Sequence, residues 1–273
     1  MRARIHGAPA GGGPIAHDAP EAARLGNPSF VWRSGQERRL AIIERYVPLA
    51  GRRVLDLGCG LGEYVRGFAR QGAHAYGCDV AHGRLAEARR RGAGDLVQAA
   101  GEALPYADAS FDVVVLNEVI EHVTDDRATM REVARVLAPG GIAVIYAPNR
   151  LYPFETHGVY LGKRYVFGNI PLVNWLPNVL RNRLVPHARA YTARGIERVA
   201  TAGGLRIVDH GYVYPGFDNI EARARLLAGV LRAFCYRAED SPALRRFGLS
   251  HLLVLQRPAA PAAESTDAAG ATA

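Results

Sequence analysis

The stretch that most constrains this chain is VLDLGCGLGEY at residues 54–64. Apolar residues surround an acid, Asp56, and then glycines stand at alternate positions, Gly58, Gly60 and Gly62. The apolar run favours a buried strand, and glycines so spaced allow a tight turn whose backbone can approach a ligand. A strand that passes through such a turn into a helix also aims the helix N-terminus at whatever the turn holds. Short apolar runs and amphipathic segments then alternate down the chain, which predicts an α/β fold with a largely parallel, doubly wound sheet.

Strands are expected at RRVLDLG, AHAYGCDV, DLVQAA, FDVVVLNEV, IAVIYAPN, LRIVDHGYVY and SHLLVLQRP. The continuous Val/Leu run of the fourth fits burial on both faces. Helices are expected over Glu63 to Arg70, over GRLAEARRRG, over DRATMREVARVLAPGG with Pro139 and the glycines as its stop, and over YTARGIERVATAGG with Thr192 as N-cap. A leading helix, SGQERRLAIIERYV, can fold over the mouth of the ligand site.

With 273 residues, 49% of them hydrophobic, the chain can bury one core of ordinary size, and a single domain over residues 27–256 is expected. Residues 1–26 and 257–273 are rich in Ala, Gly and Pro without apolar periodicity and read as disordered segments. Two stretches exceed a minimal sheet-and-helix core, at about 150–190 and 215–249, and substrate choice is expected there, beyond the carboxyl ends of the strands.

No run of 18 apolar residues and no secretory h-region occurs, so a cytoplasmic location is expected. Cys59, Cys78 and Cys235 are scattered without metal or disulfide spacing. The net charge of +8 favours an anionic partner. No basic strip interleaved with aromatics points to nucleic acid.

A dinucleotide does not suit the glycine turn, because Gly62 falls one position early and Asp56 would repel a pyrophosphate. A ligand carrying an ammonium and a sulfonium would be attracted, and S-adenosylmethionine carries both. VLDLGCGLGEY, GCDVA, GEALPYADASFDVVVLNEVIEHVTD and EVARVLAPGGIAVIYAPN, in this order, resemble the class I S-adenosylmethionine-dependent methyltransferases, in particular the broad group of small-molecule enzymes with an LPF, FDVV and EHV pattern. The resemblance covers roughly residues 50–150. It implies a Rossmann-like sheet of seven strands with an antiparallel final strand and helical lid insertions.

It also implies roles. Asp56, Gly58, Cys59, Gly60 and Gly62 would surround the methionine portion, Asp79 would take the ribose hydroxyls, and Val80 would pack on adenine. Asn117 and Glu118 would lie beside the methionine and the transferred methyl. Where the family often has an adenine-binding Asp, this chain has Ala100, so Gly101 or Glu102 would substitute.

Glu118, Glu121 and His122 stand at i, i+3 and i+4 and can converge to bind a divalent metal such as Mg²⁺ or Zn²⁺. His122 otherwise caps or packs. In APNRLYPFETHGVYLGKRY, after the fifth strand, Glu155 and His157 are the further catalytic candidates, with His157 expected as a neutral general base or metal ligand. The expected reaction is methyl transfer to a hydroxyl of a small or lipid-like molecule, the alternatives being a nucleic-acid 2′-O-methyltransferase or a non-catalytic cofactor-binding protein. IPLVNWLPNVLRNRLVP and ARARLLAGVLRAFCYR carry apolar stripes beside arginines. They read first as a lid roofed by Trp175 and otherwise as a peripheral membrane contact.

Overall fold

Four consecutive side chains, Val113 to Leu116, are wholly buried, which marks the strand that carries them as the middle of a sheet covered on both faces. The computed structural model describes residues 33–221 and 224–259. Five strands open the sheet: β1 (Arg53–Leu57), β2 (His74–Asp79), β3 (Asp95–Gln98), β4 (Phe111–Asn117) and β5 (Leu137–Pro148). Further along come β10 (Arg206–Val213) and β11 (Ser250–Gln256). Their spatial order is β10-β11-β5-β4-β1-β2-β3. All neighbours among β1 to β5 pair in parallel, and β11 alone runs against β5 and β10. The order reverses between β1 and β4, so the crevice for a ligand opens beyond Leu57 and Asn117.

Helices α1 (Ser34–Tyr46), α2 (Glu63–Arg70), α3 (His82–Arg90), α4 (Asp126–Val136) and α6 (Ala193–Ala200) flank the sheet. Asp125 caps α4 by accepting the Ala128 N–H at 2.9 Å, and Thr192 caps α6 by accepting that of Gly195 at 3.2 Å. The helix expected to run to Pro139 ends at Val136. A residue before proline avoids helical backbone, and Leu137 already pairs with Phe111 in the sheet.

The first insertion is only partly helical. It contains two short pairs, β6 (Phe154–Glu155) with β9 (Ile170–Pro171) and β7 (Val159–Leu161) with β8 (Arg164–Val166), before the single helix α5 (Asn178–Leu184), which starts directly after Pro177. The second holds α7 (Asp218–Glu221) and α8 (Arg225–Glu239).

The segment 1–26 lies outside the described residues, as does the tail from 260 onward. Arg257, at the start of the segment 257–273 expected to be disordered, is tied to the sheet through its N–H to the Gly141 carbonyl at 2.9 Å and its guanidinium to that of Arg135 at 3.0 Å. Among the described residues no helix is long and apolar enough to cross a membrane.

Candidate active site

At the crevice, Gly58, Gly60 and Gly62 have φ of 76°, 52° and 72°, left-handed values that side chains resist. A Cβ on Gly58 would sit 2.4 Å from Val119 Cγ2, so the turn is fitted against the loop after β4. The carboxylate of Asp79 joins the two neighbouring turns, accepting the N–H of Gly60 and of Ala81 at 2.8 Å each. Asp56 is buried, and burial, with the Asp79 charge added, raises its pKa well above the carboxylate range. Burial likewise pushes the Cys59 thiol up, away from any nucleophilic role.

A cavity of about 410 Å³ opens on this turn, lined by Asp56, Gly58, Asn117, Glu118, His122 and His157 among others. Arg39 of α1 reaches into it. Its guanidinium donates to Asn117 Oδ1, to Glu118 Oε1 at 2.8 Å and to Ser250 Oγ at 3.2 Å, and lies over the Tyr146 ring at 4.5 Å. Glu118 also accepts from Ser250 Oγ. Burial opposes its ionisation, but Arg39 and the hydrogen bonds hold its pKa below the usual range. Its φ of 56° is a strained value for a side-chain-bearing residue, placed at the end of β4.

Deeper in, a chain of buried charges begins at Arg181, which is 1% exposed. Arg181 Nη2 pairs with Glu155 Oε2 at 2.8 Å, and Glu155 Oε1 meets His157 Nδ1 at 2.8 Å. His157 Nε2 stands 3.6 Å from Glu121 Oε1, and His122 Nε2 stands 3.8 Å from that same oxygen. Neither carboxylate oxygen of Glu121 accepts a hydrogen bond among the described residues. Burial raises the Glu121 pKa to about 7. Burial lowers His122 to about 4, helped by the charge on His157. For His157 burial is overcome by Glu121 and Glu155, which lift it to about 10. His122 Nδ1 lies 3.1 Å from the His187 carbonyl, which can only accept, so Nδ1 carries the proton and Nε2 keeps its lone pair.

Residues 55–145 match the family model described as a methyltransferase domain. Over this third of the chain the protein is similar to the class I S-adenosylmethionine-dependent methyltransferases. Its relatives include the ubiquinone biosynthesis O-methyltransferase of Sinorhizobium medicae, 31% identical over 61% of this chain and 65% of that one. Another is the demethylmenaquinone methyltransferase of Clavibacter sepedonicus, 39% identical over 42% of this chain and 46% of that one. The chain thus spans less than two thirds of either relative. Among solved structures, an S-adenosylmethionine-dependent methyltransferase from Mesorhizobium loti superposes with a TM-score of 0.56 at 21% identity, covering 82% of this chain and 98% of that one. The [4+2]-cyclase SpnF does so with 0.55 at 21%, covering 86% and 85%. At such identities the likeness concerns the fold, and one class I methyltransferase fold evidently hosts other chemistry.

Within this fold, the residues singled out in the sequence fall into three groups. Gly58 and Gly60 of the glycine turn, Asp56, Cys59, Asn117 and Glu118 share the cavity with His122 and His157, whereas Gly62 packs against Ala93. Asp79 stands just behind, with both carboxylate oxygens engaged by backbone, and Val80 is exposed beside it. Glu102 turns elsewhere: its Oε1 accepts the N–H groups of Thr124 at 2.7 Å and Asp125 at 3.0 Å and so fixes the entry to α4, while Gly101 packs against Thr129.

Two expectations need correction. His157 is not a neutral imidazole, because two carboxylates flank it and keep its proton on. The cluster with metal-ligand spacing is Glu121, His122 and His157, whose ligand atoms lie within 4.8 Å of one another; Glu118, expected there, is held by Arg39 and Ser250 instead. Arg39 and Arg181 escaped sequence reading, since each sits among other arginines on an amphipathic segment and nothing local marks which one turns inward.

Proposed function

We propose that the protein binds S-adenosylmethionine at the glycine turn and transfers its methyl group to a hydroxyl of a small, lipid-like acceptor of the dihydroxylated aromatic class. The observation that carries this reading is a single cavity that joins Asp56, Gly58 and Gly60 to two imidazoles. The names of the Sinorhizobium and Clavibacter relatives support a quinone-like acceptor.

A cationic ammonium beside Asp56 would draw that carboxyl back to its ionised form, while Arg39 would face the ligand's carboxylate. In the transfer the acceptor oxygen forms the new O–CH₃ bond as the S–CH₃ bond breaks, and the bond pair stays on sulfur to give neutral S-adenosylhomocysteine. The hydroxyl proton passes to His122 Nε2, the imidazole nitrogen with a free lone pair. The imidazolium so formed is stabilised by Glu121, 3.8 Å away. His157, already charged and braced by Glu155, acts as a donor that orients the acceptor oxygen.

A second reading rests on the two Glu121 oxygens that accept no hydrogen bond. Glu121, His122 and His157 form a hard-to-borderline donor set that fits a divalent cation. Such a cation, when bound, would acidify a vicinal hydroxyl.

The test is transfer of isotope-labelled methyl from S-adenosylmethionine to a panel of dihydroxylated aromatics with their amine and thiol analogues, run with and without chelator. Label in an ether supports the proposal, and label only in the amines or thiols overturns it. Activity insensitive to chelator removes the metal.

A further inference from the structure

The second insertion contains a helix whose apolar face is left exposed among the described residues. On α8, Leu226 is 89% exposed, Val230 67%, Phe234 64% and Leu227 53%. With Ala233 and Arg237 these residues fall within an arc of about 120° at 100° per residue. The opposite side is already used: Ala228, Cys235 and Ala238 are buried against the domain, and Tyr236 lines the cavity with Arg38 stacked on its ring at 3.9 Å. The helix therefore cannot turn its apolar face inward as a lid without exposing what it now buries.

Beside α8 the chain adds a second apolar and basic element, the turn around Leu244, Arg245, Arg246 and Phe247, all exposed. Arg225 and Arg237 are exposed on α8 itself. The nearby acids are neutralised: Glu239 by Arg38, and Asp218 and Glu221 by Arg232. Asp240, at the C-terminal end of α8, is the exception. A two-fold contact between copies would set these arginines against one another.

We propose that this face of α8, with the Leu244–Phe247 turn, docks on the surface of an anionic lipid bilayer. Leu226, Val230 and Phe234 would enter the acyl boundary while the arginines meet lipid phosphates. Because Tyr236 of the same helix lines the cavity, docking places the cavity mouth at the membrane. An acceptor that partitions into lipid then reaches the methyl group without crossing water. This last step rests on the function proposed above, whereas the docking surface does not.

The test is flotation of the full chain with phosphatidylcholine vesicles, with or without phosphatidylglycerol, at low and high salt. The wild type should float with the anionic vesicles at low salt and be released at high salt. Leu226→Glu with Phe234→Glu, and separately Arg225→Gln with Arg237→Gln, should each reduce partitioning by about tenfold or more, as expected for losing buried apolar area or paired charge. Both should keep the wild-type circular dichroism and melting midpoint, because the altered side chains are exposed, and Val208→Glu on β10 should float like the wild type. Failure of the wild type to float overturns the proposal, as do partitioning unaltered by either double variant and a dimer that only Leu226→Glu with Phe234→Glu dissociates. Vesicle binding with no methyl transfer to any dihydroxylated aromatic would leave the docking surface standing and remove the acceptor reading.

Discussion

Gly62 shows how little room the turn leaves at the scale of one residue. It initiates α2 with a φ of 72°, and a Cβ there would lie 2.5 Å from the Cβ of Ala93, which has no rotamer to give way. Gly62→Ala should therefore lower unfolding free energy by about 1–3 kcal/mol. The denaturant midpoint checks it: a shift at unchanged slope is expected, and no shift would mean the turn rearranges freely. Glu121 invites a second substitution. With its pKa near 7, it loses its charge as pH falls below neutrality and with it the ability to stabilise a charged His122. Turnover should decline below about pH 7, and Glu121→Gln should lower the plateau by about 10- to 100-fold and abolish that limb. An unaltered pH profile would remove Glu121 from the mechanism. The glycines and Asp56 were legible in the sequence because the turn's chemistry is local. The protonation states were not, since the charge on His157 depends on Glu121, which lies far from it along the chain and meets it only through the fold.

At the scale of elements, two inward-turned arginines, the half-buried Arg39 and the buried Arg181, hold the site's walls. Arg39 fastens α1 to the ends of β4 and β11 through Asn117, Glu118 and Ser250. Arg181 fastens α5 to the insertion strand bearing Glu155 and also donates to the Ala188 carbonyl at 2.9 Å. Removing one partner of a buried pair strands the other, at a cost of about 3–5 kcal/mol. Arg181→Met should thus leave Glu155 free to pull away from His157. Turnover should fall while S-adenosylhomocysteine affinity stays within about threefold, since the glycine turn is untouched. Hydrogen exchange should rise in residues 154–171. Equal losses of binding and turnover would contradict this division of labour. The strands and helices of the sheet were readable because their periods repeat over enough residues to count. The insertion pairs were not: two- and three-residue strands carry no period, and the stripe from Leu172 to Leu180 is broken by Pro177 into a turn and a seven-residue helix.

For the whole molecule, burial of ionisable groups links the fold to pH. His157 keeps its proton in the folded state to about pH 10, whereas the unfolded chain releases it near 6.5. Below 6.5 both states hold the proton and the contribution is complete; as pH rises toward 10 it is lost. The slope is about 1.4 kcal/mol per pH unit within that window, so stability should drop by about 2–3 kcal/mol between pH 7 and 9. Urea midpoints at the two pH values measure this, and His157→Gln should flatten the difference; an equal drop in the variant would assign it to other groups. The sheet order, the crevice at its reversal and the composite cavity all follow from which strands pair, and the fold was visible in four motifs that span only β1 to β5. The acceptor was not, because the walls that would select it come from insertions whose meaning depends on where the sheet puts them. The central claim, that the glycine turn holds S-adenosylmethionine, is tested most directly by calorimetric titration of S-adenosylhomocysteine into the wild type and Asp79→Ala, each verified as folded. One site per chain with a dissociation constant on the order of micromolar, weakened at least about 30-fold once the Gly60 and Ala81 N–H groups lose their acceptor, is the expected result. No binding to the wild type, or equal affinity in both, would contradict it.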